Sequence, residues 1–153
     1  MTRKHTPAAL LILLFGSLAF LGACDDDHEH EYHHAPIGVV LSIDNSMIAV
    51  QEGNNMTYAD GDAISVPSGG ATETINIQFL DDEGTHFTPD GSEESLGYTI
   101  GNTEILDVTH PVDNDQWSFR LNGIEAGSTT IQFDLMHGGH SDFTSREFQV
   151  TVE

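Results

Sequence analysis

"STTIQFDL", residues 128–135, places Ile131, Phe133 and Leu135 on one side of an extended chain and Thr130, Gln132 and Asp134 on the other. Strict alternation of this kind is the pattern of a half-buried β-strand, because successive side chains leave a strand on opposite faces. The same period recurs outward in both directions. Trp117, Phe119 and Leu121 alternate with Ser118, Arg120 and Asn122, and Phe148, Val150 and Val152 alternate with Gln149 and Thr151. Ile75, Ile77 and Phe79 share a face opposite Asn76 and Gln78. Val39, Leu41 and Ile43, then Ile48 and Val50, predict a hairpin turning at Asp44-Asn45-Ser46. No stretch beyond residue 37 keeps a helical period over ten residues. Further breaks fall at Asp60-Gly61, Gly69-Gly70, Asp82-Glu83-Gly84, Asp90-Gly91 and Gly138-Gly139. About eight short strands separated by turn signals predict an all-β sandwich over residues 37–153, with Trp117, Phe119, Ile131, Phe133 and Val150 in its core.

Four segments carry a more specific likeness. AISVPSGG (63–70), TETINIQFLDDEG (72–84), TEILDVT (103–109) and above all GIEAGSTTI (123–131) follow one another in an order that resembles the bacterial immunoglobulin-like domains of surface adhesins. The resemblance implies an immunoglobulin-like β-sandwich and leaves activity open, since such scaffolds host many functions.

The first 36 residues differ in character. Arg3-Lys4-His5 precede AALLILLFGSLAFL (8–21), an uncharged stretch shorter than the roughly 20 residues that a spanning helix needs. Basic start, short apolar run and small residues are the order of a secretory signal, predicted here over residues 1–23. Leu21-Gly22-Ala23-Cys24 resembles the lipobox of bacterial lipoproteins. That implies cleavage before Cys24, a thioether-linked diacylglycerol on its sulfur and acylation of the new amino group. One acyl chain holds a protein only reversibly, whereas two or three anchor it firmly without a spanning helix. Cys24 is the chain's one cysteine, so a lipidated Cys24 leaves no thiol for a disulfide, a metal or a nucleophile.

Residues 24–36 follow as a flexible tether. Positions 25–31 are all acid or histidine, a composition that buries too little apolar surface to fold. Its donors His28, His30, His33 and His34 form a weak divalent-metal site of their own, as dense histidine tracts do. Asp25-Asp26-Asp27 resembles the acidic signal that sends some lipoproteins to the cell surface. In enterobacteria an aspartate after the lipidated cysteine favours inner-membrane retention instead. Outer membrane or cell surface is the expected location in a bacterial envelope, with the leaflet open.

Charge narrows the partners. Removing residues 1–23 deletes Arg3 and Lys4 and moves the formal charge from −21 to −23, leaving Arg120 and Arg146 as the only basic side chains besides histidine. Such a chain is a poor match for nucleic acid, which is bound by neutralising phosphates, or for anionic lipid heads. Cations suit its field better, and acidity also keeps an exported protein soluble.

The remaining histidines make a constellation only through topology. With strands at 74–80, 96–100, 104–109, 116–121, 128–137 and 146–152, three connections share one end of the sandwich. His86 lies in the first, His110 starts the second, and His137 and His140 bracket the third in MHGGHSDF. These four imidazoles, with Asp142 as a further ligand or as an orienting acceptor, predict a Zn²⁺ or Cu²⁺ site. A hydrolytic variant would need an open coordination position and a base such as Glu83. A calcium reading rests on Asp60, Asp62, Asp113 and Asp115, whose spacing does not fit an EF-hand loop. Catalytic motifs of the G-x-S-x-G, P-loop and H-E-x-x-H types do not occur, so a non-catalytic protein is expected. The alternative to a metal binder is an immunoglobulin-like interaction or adhesion module that holds a protein or glycan.

Overall fold

The computed structural model describes residues 35–153, and every regular element in them is a β-strand. The predicted signal peptide, Cys24 and the tether histidines His28, His30, His33 and His34 lie outside the described residues. Twelve strands run in chain order: β1 (Gly38–Ile43), β2 (Ser46–Glu52), β3 (Asn55–Tyr58), β4 (Ile64–Val66), β5 (Ile75–Leu80), β6 (His86–Phe87), β7 (Glu94–Ile100), β8 (Leu106–Thr109), β9 (Ser118–Gly123), β10 (Gly127–His137), β11 (His140–Thr144) and β12 (Phe148–Val152). Hairpin β1–β2 turns where the sequence predicts. Asp44 and Asn45 hold positive φ of 47° and 62°, as a type I′ hairpin turn requires of both its central residues.

The strands form two sheets. The first has the order β3-β2-β1-β5-β9-β8, with β6 pairing β5. In the second, β10 is flanked by β7 on one side and by β11 and β12 on the other, and β4 joins β12 in parallel. Reading β1, β5, β9 and β8 as A, B, E and D, and β7, β10 and β12 as C, F and G, gives the two-sheet division of an immunoglobulin sandwich. Strands β2 and β3 extend the first sheet beyond that plan. Three strands go beyond the elements read from sequence: β3, β6 and β11.

The core lies between the sheets. Trp117 is nearly buried, and Phe119, Ile131, Phe133 and Val150 are fully so. The Phe133 ring stands 5.0 Å from Phe119 and 5.8 Å from Phe148, centroid to centroid. Ser145, buried between β11 and β12, closes the gap those two strands leave beside Phe133. Its N–H donates to the Phe133 carbonyl (2.8 Å) and its Oγ accepts from the Phe133 N–H (2.9 Å). Gln51, also buried, spans the sheets: Nε2 donates to the Gly53 carbonyl (3.0 Å) and Oε1 accepts from the Arg146 N–H (2.7 Å). Both contacts satisfy polar groups that would be costly to bury unpaired.

Gly123 marks the closest approach of β9 to the β4 segment. A Cβ there would stand 2.4 Å from the Pro67 carbonyl oxygen and 2.8 Å from Val152 Cγ1. Backbone cannot swing aside as a flexible side chain does, so Gly123→Ala should destabilise the domain by about 1–3 kcal/mol. Urea unfolding of the variant against wild type measures it, and an unchanged midpoint would refute this close packing.

Candidate metal centre

The site is built on the β10–β11 hairpin. Gly138 and Gly139, with φ of +55° and +91°, are the two central residues of its turn, a left-handed pair of conformations that glycine adopts without a Cβ penalty. This tight turn sets His137 directly opposite His140 in the ladder. Two residues further along the same pair of strands, the register slips: Leu135 pairs Phe143 but Met136 pairs Ser141. Asp142 is the extra residue, and a bulge of this kind lets two successive side chains take the same side of the sheet. Phe143 goes to the core, edge-on to Phe79 at 6.1 Å. Asp142 goes to the two histidines.

The resulting contacts are short. Asp142 Oδ2 lies 3.2 Å from His137 Nδ1, and Asp142 Oδ1 lies 3.0 Å from His140 Nε2. The two imidazole rings are 5.8 Å apart. Among the described residues, His137, His140 and Asp142 form the one group whose ligand atoms, one from each, all lie within 4.8 Å of one another. Tetrahedral Zn²⁺ with bonds of 2.0–2.1 Å has ligand–ligand edges of about 3.3 Å, close to the two separations seen. Two imidazole nitrogens and one carboxylate oxygen are a donor set for Zn²⁺ or Cu²⁺. The two separations run to different oxygens of Asp142, so the donor types fit such an ion, and the three side chains would close around it from within 4.8 Å of one another. They lie at the surface, the side chains of His137, Asp142 and His140 being 34%, 40% and 70% exposed.

The other predicted ligands sit at the same end of the sandwich but do not join this group. His86 pairs Leu80 at the edge of the first sheet, and facing sheets stand about 10 Å apart. His110 is half-buried, its Nε2 2.9 Å from the Gln116 carbonyl and its ring edge-on to Tyr98 at 5.9 Å. Of the five residues read as one site, the structure brings His137, His140 and Asp142 together and places His86 and His110 outside that group. Glu83 lies in a turn around Asp81, whose Oδ1 accepts the Glu83 N–H (3.0 Å) and the Thr85 N–H (2.7 Å).

The aspartates of the calcium reading have other places. Asp113 and Asn114 form a further left-handed turn, between Val112 and Asp115. Asp115 Oδ1 accepts the Trp117 N–H (2.9 Å). Asp60 and Asp62 line a cleft of about 410 Å³ with Ile43, Ile48 and Glu153. Sequence reading missed Glu93, which brings a carboxylate oxygen to 3.5 Å from His137 Nε2. Only the pairing of β7 with β10, which aligns Glu94 with His137, carries that information.

The chain matches no family model and no curated protein. Among solved structures, it is similar to domains 4 and 5 of the S-layer protein SbsC, with 21% identity and a TM-score of 0.42, over 76% of this chain and 65% of that one. This chain therefore spans slightly less than two thirds of that structure's length.

Proposed function

We propose that this is a lipid-anchored, non-catalytic lipoprotein of the bacterial cell envelope whose immunoglobulin-like domain binds one Zn²⁺ or Cu²⁺ ion. The convergence of His137, His140 and Asp142 within ligand reach carries the metal reading. The anchor rests on the lipobox LGAC ahead of Cys24 and on the short apolar run before it. An acidic chain without basic patches gathers cations around such a site, which suits capture or buffering of metal outside the cytoplasm. Elemental analysis of the purified chain with His28, His30, His33 and His34 replaced by Asn should find close to one equivalent of metal. Binding of neither ion below about 100 µM, a free energy of roughly 5.5 kcal/mol, would leave the interaction module as the reading of this domain.

The anchor has its own test. Wild-type protein should fractionate with membranes and partition into detergent, and Cys24→Ser should release it or stall it with the signal attached. A wild-type protein that keeps residues 1–23 and still sits in the membrane would overturn the lipid anchor.

A further inference from the structure

We infer that Glu93 is a positioning residue that fixes the tautomer of His137, so that Nδ1 is the nitrogen offered to metal. This rests on the metal site proposed above. A neutral imidazole carries one N–H, and only the bare nitrogen can ligate. In His137 both ring nitrogens face carboxylates, Nδ1 toward Asp142 at 3.2 Å and Nε2 toward Glu93 at 3.5 Å. The two nitrogens point away from each other across the ring. Glu93, on the Nε2 side, is therefore turned away from the space that Nδ1 shares with Asp142 and His140. It belongs to no three-ligand group among the described residues. Its carboxylate is in ion-pair contact with Nε2 at 3.5 Å, on the side from which it would take the Nε2–H when a metal replaces the Nδ1–Asp142 hydrogen bond and Nδ1 is left bare. Carboxylates behind metal-bound histidines act in this way, setting ring orientation and raising ligand basicity.

The backbone explains why Glu93 has this role and its neighbour does not. The Gly138 N–H donates to the Glu93 carbonyl at 3.2 Å, which ties the residue to the same turn that sets the histidines. Glu94 is directly opposite His137 in the ladder, but its Oε2 accepts the Gly91 N–H at 2.9 Å and is turned to its own loop. One consequence is asymmetry: His137 would bind through Nδ1 and His140 through Nε2, the atom that faces Asp142.

Long-range proton–nitrogen NMR on the full chain, with His28, His30, His33 and His34 replaced by Asn and loaded with Zn²⁺, reads the tautomers directly. The expected spectrum has His137 protonated on Nε2 and metallated on Nδ1, with His140 metallated on Nε2. Glu93→Gln should lower Zn²⁺ affinity by about tenfold, the low end for such partners because Glu93 is exposed, and should mix the His137 tautomers without moving the unfolding midpoint. Wild-type affinity in Glu93→Gln, or His137 metallated on Nε2, would overturn the role of Glu93 while the site stands. Absence of Zn²⁺ binding before any change at Glu93 would remove the site itself, and this inference with it.

Discussion

Phe133→Ala should lower the stability of the domain by about 3–5 kcal/mol, the range for truncating a fully buried phenylalanine. Nothing at that position can collapse easily into the space left. Phe133 is fully buried in the middle of β10, with Phe119 across the core and Phe148 beside it. Its backbone is held on both polar groups by Ser145, so the strand cannot shift inward to fill the hole without losing those bonds. Against a total stability of about 5–15 kcal/mol for a typical domain, the loss is large enough to read as a clear fall in urea midpoint. The slope of the transition should stay the same, since the folded and unfolded surfaces change little. A loss below about 1 kcal/mol would mean that the two sheets do not meet at Phe133.

His137→Ala should abolish measurable Zn²⁺ and Cu²⁺ binding by the domain, a fall of at least a hundredfold, while leaving the fold intact. The other two donors, His140 and Asp142, are exposed, and two exposed ligands cannot replace the three that Zn²⁺ requires from protein. Calorimetry on the chain with the tether histidines replaced by Asn measures the loss. Acidification should mimic it in wild type. A protonated imidazole has no lone pair to offer a metal, so affinity should fall on acidification and return on neutralisation. Equal binding by His137→Ala and wild type would show that the ion, if bound, is held elsewhere.

The strands were legible because one face of each is buried, and burial imposes a period of two that survives in the residue types. Ile131, Phe133 and Leu135 are read correctly for that reason, as are Ile75, Ile77 and Phe79. Strand β11 was not legible. Its bulge at Asp142 puts an acid and Phe143 on one side in succession, which breaks the alternation that would have announced a strand. Strand β3, at the sheet edge with the residues Asn55-Met56-Thr57-Tyr58, has too little buried face to show a pattern. For the site, topology placed four histidines at one end of the sandwich, but it works at the scale of loops. Ligation works at about 2 Å. Only His137 and His140 are locked together by a two-residue turn, whereas His86 belongs to the opposite sheet and His110 is engaged by Gln116 and Tyr98.

The ladder registers also fix how the domain would carry tension. Strand β1 begins at Gly38 beside Leu80, where β5 ends, and β12 finishes at Val152 beside Gly127, where β10 begins. A pull through those two ends runs along the strands instead of across them. The hydrogen bonds that join β1 to both β2 and β5 are then loaded in shear and must yield together, and the parallel pairing of β4 with β12 adds a second clamp at the other end. Any load applied between Gly38 and Val152 would therefore act along the strands, against ladders that yield only as a whole.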